Sequence, residues 1–303
     1  MIRELAGGDL VPASDGLISS LQSLGIGYGE HDGVVSLDQP LELLDAHRIE
    51  HGLSANTRKA LSKLEIFWSI DSTNSFLLSH AHESGFHGSI CLAEQQLAGK
   101  GRRGRHWVSP FGKNVYLSLG WRMSTRKVGI EGLSLVVGML VVSALRDLGI
   151  EDVGLKWPND VLVRDGKLAG ILVEVAASRR GEANLVIGVG VNLRLDDRDA
   201  RQIGRQFATV AEQMAVSRNE LVSRLIDYIF LGLSGFQQAG FAPYFAQWSE
   251  YDVYLGRDVR ITVAGKEIEG IDRGVDEEGN LLLETADGVQ AFNAGEVSLR
   301  PAD

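Results

Sequence analysis

The sequence predicts an α+β protein in which helices flank a central mixed β-sheet. A small β-barrel of the SH3 kind is expected after this domain, and a truncated winged-helix-like unit before it. In the middle of the chain, apolar runs of strand length alternate with turn signals and with a helical repeat. After residue 256, short alternating segments and turns follow within about 50 residues, which is typical of a small barrel. We therefore divide the chain into units 1–40, 41–253 and 254–303.

Composition limits the classes of function. The 303 residues suffice for one large domain and one or two small ones, and 44% hydrophobic with 23% charged residues is ordinary for a soluble globular protein. The net charge of −10 argues against a general nucleic-acid-binding protein, which is usually basic. Cys91 is the single cysteine, so no intrachain disulfide is possible and a cytoplasmic location is expected.

Sequence patterns also argue against membranes and metals. The N-terminus lacks the apolar core of a signal peptide, and the longest apolar window, residues 133–145, is too short to span a bilayer. The 7 histidines show no paired spacing. We therefore expect no membrane association and predict no metal-binding residues.

The sequence of residues 1–40 predicts two short helices, followed by a hairpin that turns at residues 31–33. Asp15 is the predicted N-cap of the second helix. These elements suggest part of a winged-helix DNA-binding unit. However, Arg3 is the only basic residue against six carboxylates, and a net charge of −5 would be repelled by DNA phosphates. A packing appendage is therefore favoured over a DNA-binding unit.

The first half of the main domain contains a linking helix and three strands, predicted at residues 40–48, 64–68, 89–94 and 115–121. Ser72 or Thr73 can cap a helix that follows the first strand. The third strand alternates with period two, which indicates one buried face.

The second half begins with the strongest helical signal in the chain, because apolar residues recur at helical spacing over residues 133–148. The elements after it are a hairpin, a strand, a polar mobile loop and a capped helix, predicted at residues 161–175, 184–193, 194–205 and 217–238. Gly188 and Gly190 interrupt the strand.

Residues 99–114 reverse the sign of the local charge. They place Lys100, Arg102, Arg103 and Arg105 within six residues, interleaved with glycines. Guanidinium groups bind phosphate through paired hydrogen bonds, and glycine lets a backbone approach a ligand closely. The glycine spacing is not that of a Walker loop. The stretch predicts a flexible lid over a polyphosphate, with a solvated basic loop as the alternative.

Four polar segments lie at the ends of predicted strands. They are residues 72–74, Gln96 with the basic stretch, residues 156–160 and residues 167–170. Each alone has an ordinary explanation as a helix cap, a turn or a solvated lysine. Open sheets place ligand sites at strand ends, so their joint occurrence predicts one shared site.

Longer motifs in these segments resemble those of biotin protein ligases. They read Gly-Lys-Gly-Arg-Arg-Gly-Arg, Trp-Val-Ser-Pro-Phe-Gly-Lys-Asn, Lys-Trp-Pro-Asn-Asp and Lys-Leu-Ala-Gly-Ile-Leu-Val-Glu, in the order of the family. The resemblance extends over residues 41–300. It implies the class II synthetase-like catalytic domain that biotin and lipoate ligases share, followed by the SH3-like domain.

The resemblance also implies a two-step, AMP-forming reaction. Biotin and ATP, with Mg²⁺, would give biotinyl-5′-adenylate and pyrophosphate. A lysine of a biotin carboxyl carrier protein, such as that of acetyl-CoA carboxylase, would then take the biotinyl group. The resemblance is compatible with a homodimer as well as with a monomer.

Residue roles follow from the resemblance by position in the motifs. The implied catalytic residues are Arg102, Lys156, Asp160 and Lys167. The implied biotin contacts are Ser72, Thr73, Asn74, Gln96, Lys100, Gly101, Arg102 and Lys167. The implied nucleotide contacts are Arg102, Trp107, Lys156, Asn159, Phe207 and Arg300.

The N-terminus departs from the family members that also repress biotin synthesis. The helix that positions the recognition helix is missing from residues 1–40, so DNA binding is not expected. The alternatives are a bifunctional ligase and DNA-binding repressor, and a lipoate-protein ligase. The basic motif and Lys-Trp-Pro-Asn-Asp favour biotin over lipoate.

Overall fold

The computed structural model describes residues 1–126, 128–179, 181–204, 206–263, 265–294 and 297–302. The first unit consists of α1 (Ile2–Ala6), β1 (Val11–Pro12), α2 (Asp15–Leu24), β2 (Tyr28–His31) and β3 (Val34–Leu37). Its strands form an antiparallel sheet in the order β1-β3-β2.

This unit has a small core of its own, built from Leu5, Val11, Leu17, Leu21 and Val35. The two predicted helices and the hairpin are present, and residues 7–14 contain no helix. The predicted cap of α2 was wrong. The side chain of Ser14, not of Asp15, accepts a hydrogen bond from the Leu17 N–H at 3.3 Å.

The main domain begins with α3 (Ala46–Gly52), α4 (Ala55–Ala60), β4 (Lys63–Phe67), α5 (Thr73–Ser79), β5 (Ser89–Ala93) and β6 (Val115–Ser124). A linking helix was predicted at residues 40–48, but its start was wrong, because residues 40–45 contain no helix and α3 begins at Ala46. Asp45 caps α3 by accepting the Arg48 N–H at 2.8 Å. The N–H groups of Leu44 and Asp45 bond to Glu94 and Asn219 instead of to a helix.

It continues with α6 (Leu133–Asp147), β7 (Val153–Lys156), β8 (Asp160–Val163), β9 (Gly166–Arg179), β10 (Glu182–Val191), α7 (Asp197–Ile203), α8 (Arg218–Ala239) and α9 (Ala242–Phe245). The strongly periodic helix α6 is confirmed. A mobile loop was predicted at residues 194–205, and this prediction was wrong, because residues 197–203 form α7. A capping box between Asp196 and Asp199 starts this helix. Arg205 lies outside the described residues.

The seven strands β4 to β10 form one mixed sheet in the order β4-β5-β6-β10-β9-β8-β7. Only the β4–β5 pair is parallel among these described strands. β6 lies between β5 and β10 and is buried on both faces, so the expected single buried face was wrong. Helices cover both sides of a central strand, which removes the polar face that alternation would otherwise require.

The two faces of the sheet differ in what fills them. Leu185, Ile187 and Val189 of β10 pack into the main core with α6 and α8, whereas Val186 packs against Leu77 of α5. Successive side chains of a strand point to opposite faces, so α5 covers the face that also carries the even-numbered positions of β10. Two of these positions are glycines, Gly188 and Gly190, and the absence of side chains there leaves space for a cavity on that face of the sheet.

The C-terminal unit contains β11 (Asp258–Val263), β12 (Lys266–Val275), β13 (Leu281–Thr285), β14 (Gly288–Phe292) and β15 (Val297–Pro301). These strands are antiparallel in the order β14-β13-β12-β11-β15, which agrees with the predicted SH3-like unit. The Trp157 Nε1–H donates to the Gly279 carbonyl at 3.0 Å and ties this unit to the main domain. No helix in the described part of the chain combines the length and apolar character needed to cross a membrane.

A buried carboxyl in this unit makes stability depend on pH. Asp272 is fully buried, and burial, followed by the charge of Asp252, raises its pKa to about 7. The folded pKa lies above that of an unfolded aspartate, so the stabilising protonated form is lost as pH rises from about 4 to about 7.

We expect Asp272→Asn to weaken this dependence. From pH 5 to pH 8 the wild type should lose on the order of 2 kcal/mol in free energy of unfolding, and the variant much less. Urea unfolding at both pH values measures the difference. Asp287→Asn, at an exposed turn, is the control and should follow the wild type. Equal pH dependence of both variants would contradict the assignment.

Candidate active site

One cavity of about 950 Å³, counting its open mouth, lies on the face of the sheet that α5 covers. It brings together the predicted residues from all four polar segments. These are Ser72, Thr73, Asn74, Gln96, Lys100, Gly101, Arg102, Trp107, Lys156, Asn159, Asp160 and Lys167.

Glycines of the central strands create this space. A Cβ atom at Gly188 would lie 2.3 Å from Asn74 Oδ1, and one at Gly190 would lie 2.7 Å from the Trp107 indole. Gly170 faces Gly190 across the β9–β10 ladder and also lies under Trp107. Glycines that read as strand interruptions in the sequence are thus the floor of the cavity.

The N-terminus of α5 forms one wall. Ser72 caps the helix by accepting the Ser75 N–H at 3.4 Å. The next two residues are buried, with Thr73 3% and Asn74 4% exposed. The Thr73 N–H donates to Gln96 Oε1 at 2.9 Å, and Asn74 Nδ2 donates to Glu174 Oε2 at 2.7 Å. Buried polar groups held at both ends have fixed orientations, as a specific ligand contact requires.

Residues 99–107 form a tight hairpin. Lys100 pairs with His106 across it, the Trp107 N–H donates to the Gly99 carbonyl at 2.9 Å, and the Gly101 N–H donates to the Arg105 carbonyl at 2.7 Å. At its tip Arg103 and Gly104 have φ values of 58° and 70°, as the two central residues of a type I′ turn do. The glycines expected to supply motion therefore also supply a defined turn.

The hairpin projects from a longer segment, residues 94–114, whose two ends are held by Arg218, which is 1% exposed. Its guanidinium pairs with Glu94 at the end of β5 and donates from Nε to the Asn114 carbonyl at 2.8 Å, just before β6. The Gly112 N–H donates to the Glu94 carbonyl at 2.9 Å. Both ends of the segment that carries Gln96, Arg102 and Trp107 are thus held together.

Arg102 connects the hairpin to two other parts of the protein. Its guanidinium donates to Asn159 Oδ1 at 2.9 Å and to the carbonyl of Ala294 in the C-terminal unit. Burial, followed by the charge of Arg103, lowers the pKa of Arg102. An anion bound beside these guanidinium groups would offset both effects.

A cluster of charged side chains forms the opposite wall. Lys167 pairs with Asp160, whose carboxylate lies 3.6 Å from Lys156 Nζ, and the Lys167 ammonium lies 5.3 Å from the centre of the Trp107 ring. The Asn159 amide donates to the Ile171 carbonyl at 2.9 Å. With Arg102, three cationic groups surround one carboxylate, so the wall favours an anionic ligand.

Two predicted residues do not line the cavity. The Phe207 backbone bridges to Lys167, but its ring is not part of the lining. Arg300 is exposed on β15, whereas its neighbour Leu299 does line the cavity. Their nucleotide contacts remain predictions.

Sequence reasoning missed Ser109, Ser118 and Glu174, which bond to residues of the predicted biotin site. Ser118 is fully buried within the apolar strand β6, and a hydroxyl in such a strand was the available signal. Among the described residues, no group of three or more His, Cys, Asp or Glu side chains is arranged to hold a metal.

Comparisons with known proteins agree on one family. The profile of the biotin/lipoate A/B protein ligase family matches residues 66–192, and that of the biotin protein ligase C-terminal domain matches residues 254–300. The biotin protein ligase from Aquifex aeolicus, in complex with biotin and ATP, superposes with a TM-score of 0.67 at 27% identity. This match covers 79% of this chain and 99% of that one.

Two relatives are closer in sequence. The bifunctional ligase/repressor BirA of Salmonella typhimurium is 41% identical over 269 residues, covering 88% of this chain and 82% of the relative. The biotin–[acetyl-CoA-carboxylase] ligase of Mycobacterium tuberculosis is 32% identical over 241 residues, covering 78% and 88%. The chain therefore belongs to the biotin protein ligase family.

Proposed function

We propose that this protein activates biotin with MgATP to biotinyl-5′-adenylate and transfers the biotinyl group to a lysine of a biotin carboxyl carrier protein. The observation that carries the proposal is the meeting of two walls in one cavity. A buried polar network around Thr73 and Asn74 faces a cationic cluster around Arg102 and Lys167. A polar ring can bind to the first wall while its carboxylate reaches the second.

In the first step a carboxylate oxygen of biotin attacks the α-phosphorus of ATP. The bond from this phosphorus to the bridging oxygen breaks, and pyrophosphate leaves. Two anions must approach each other, so Lys167 and Arg102 would screen their charges and align them. The Lys167 side chain is 13% exposed, and poor hydration strengthens its interaction with an anion.

In the second step the uncharged ε-amine of the carrier lysine attacks the acyl carbon of the adenylate. A carbon–nitrogen bond forms, the carbon–oxygen bond to the phosphate breaks, and AMP leaves. Asp160 is the carboxylate of the cationic wall, so it would orient the amine and take up its proton. The hairpin at residues 99–107 would shield the adenylate from water during transfer.

Mg²⁺ would enter with ATP and not occupy a site built for it. Mg²⁺ commonly binds through substrate phosphates and one or two carboxylates, keeping several waters. The cavity offers the carboxylate of Asp160, which fits this type of binding. The ion would neutralise phosphate charge.

Substrate identity is tested with labelled biotin or lipoate, ATP and a carrier domain. We expect pyrophosphate release and label transfer with biotin only. Transfer of lipoate in place of biotin would overturn the proposal.

The floor of the cavity allows a sharper test. Gly188→Ala would place a methyl group on the Asn74 side chain, so the KM for biotin should rise at least about tenfold, with little change in the KM for ATP. Gly85→Ala, where a Cβ meets nothing within 4 Å, is the matched control. An unchanged KM for biotin in the Gly188 variant would exclude Asn74 from the biotin site.

We also propose that residues 1–40 do not bind DNA, and that the reaction takes place in the cytoplasm. The N-terminal unit has one basic side chain, that of Arg3, against six carboxylates. Two helices, α1 and α2, precede its hairpin, so the positioning helix of a helix-turn-helix is missing. Fluorescence anisotropy with the operator DNA of a bifunctional relative, at low and moderate salt, should detect no salt-dependent binding. Cys91 is buried and free, which agrees with a reducing compartment.

A further inference from the structure

A chain of hydrogen bonds runs behind the biotin side of the cavity, and its polarity can be read from its ends. At one end Asn74 Nδ2 lies 2.7 Å from Glu174 Oε2 and 3.4 Å from the Leu172 carbonyl oxygen. Both partners are acceptors, so this atom must be the NH₂ group of the amide. The oxygen of Asn74 therefore points the other way, toward Ser118.

At the other end the Thr73 N–H donates to Gln96 at 2.9 Å, which fixes the Gln96 oxygen toward Thr73. The Gln96 NH₂ group then donates to Ser109 Oγ at 3.0 Å. Both amides are thus oriented by partners that can act in only one way.

The hydroxyl groups of Ser118 and Thr73 lie between these two amides. Together they carry two hydrogens but make three contacts, so these hydrogens can serve only two of the three contacts. Ser118 Oγ lies 2.5 Å from Asn74 Oδ1 and 2.8 Å from Thr73 Oγ1, and Thr73 Oγ1 lies 3.1 Å from Gln96 Oε1. The shortest contact joins Ser118 to an oxygen that only accepts, so Ser118 donates there. Thr73 then donates to Ser118 or to Gln96, and in either case both hydroxyl hydrogens are used inside the network.

Toward the cavity, Thr73 Oγ1 and Asn74 Oδ1 therefore offer lone pairs and no hydrogens. We propose that Glu174 is a specificity-determining positioning residue, which fixes the Asn74 amide so that this wall accepts hydrogen bonds from the N–H groups of a cyclic urea. The inference rests on the proposed function, because it takes the ring of biotin as the ligand of this wall.

This polarity also separates biotin from lipoate. A dithiolane ring has no N–H group, so its binding would leave the buried oxygens of Thr73 and Asn74 without a donor. A site built to hydrogen-bond a ligand rejects a ligand that lacks the matching group far more strongly than an apolar site does. In a family that includes lipoate ligases, Glu174 would thus act on the choice of ring although it lies behind the lining.

The test compares two replacements of Glu174. Glu174→Met keeps the length of the side chain but removes the stronger of the two acceptors, so that only the 3.4 Å contact with the Leu172 carbonyl opposes a turn of the Asn74 NH₂ group toward Ser118. Glu174→Gln retains an acceptor oxygen and should rescue the wild-type orientation. Biotin-dependent ATP–pyrophosphate exchange is measured with biotin and with desthiobiotin, which keeps the cyclic urea but lacks the sulfur-containing ring.

We expect Glu174→Met to raise the KM for both ligands by the same factor, about tenfold or more, with kcat and the KM for ATP changed less than about threefold. Glu174→Gln should stay within about threefold of the wild type for both. An effect on biotin that desthiobiotin does not share, or equal effects of Met and Gln, would overturn the role of Glu174. Wild-type protein without biotin-dependent exchange would instead refute the proposed function itself.

Discussion

Replacing Lys167 by alanine is expected to reduce biotin-dependent adenylate formation by a factor of about 100 to 1,000, the loss typical of removing one preorganised charge from a reacting centre. Lys167 belongs to the cationic wall of the cavity, where it pairs with Asp160 and lies over the Trp107 ring. Without its charge, the biotin carboxylate and the α-phosphate would repel each other. Single-turnover pyrophosphate release measures this step without the carrier protein.

The control for this variant is Lys63→Ala, which removes an exposed lysine paired with Glu65 on β4. It should release pyrophosphate at the wild-type rate. Asp160 keeps Lys156 as a neighbour in the Lys167 variant, so we expect the protein to stay folded, as circular dichroism would show. Near-normal pyrophosphate release from folded Lys167→Ala would remove Lys167 from the mechanism.

Replacing Arg102 by alanine is expected to shorten the lifetime of bound adenylate about 100-fold. The change removes charge-assisted hydrogen bonds to Asn159 and to the Ala294 carbonyl, which join the hairpin to the main domain and to the C-terminal unit. Each such bond contributes about 1.5 to 3 kcal/mol. Adenylate escape is measured by dilution of the loaded enzyme into unlabelled biotin and ATP.

Trypsin provides a second measurement, because the hairpin carries several lysine and arginine residues. Faster cleavage within residues 99–107 should accompany faster adenylate escape in Arg102→Ala. Arg201→Ala, on the exposed side of α7, is the control for loss of an arginine charge. If adenylate lifetime is unchanged while cleavage accelerates, the hairpin does not retain the intermediate.

The sequence was sufficient for the elements with a strong local pattern. The repeat of apolar residues in α6 and the turn at Asp32 and Gly33 depend on neighbours along the chain, and both were predicted correctly. The start of α3 was not, because the N–H groups of Leu44 and Asp45 bond to residues 50 and 174 positions away. Such partners compete with a helix in a way that local periodicity does not record.

The same distinction applies to the site. The motif residues were found because four polar segments occur together at predicted strand ends and resemble the motifs of one family, and twelve of these residues line the cavity. Glu174 and Ser118 lie 100 and 44 positions from Asn74, and the register of the sheet brings them together. Their roles depend on orientation, which residue type and spacing alone do not give.

The type I′ turn at Arg103 and Gly104 has a consequence for the cost and speed of closing the site. Ordering a disordered loop costs about 1–2 kcal/mol per residue in backbone entropy, which weakens the binding of any ligand that requires it. A hairpin that is already folded, on a segment whose ends are held by Arg218, would lose little of this entropy if it moved as one body. Closure then resembles the microsecond-to-millisecond hinge motion of a lid, and most of the ligand's binding free energy remains available for holding the reactive adenylate.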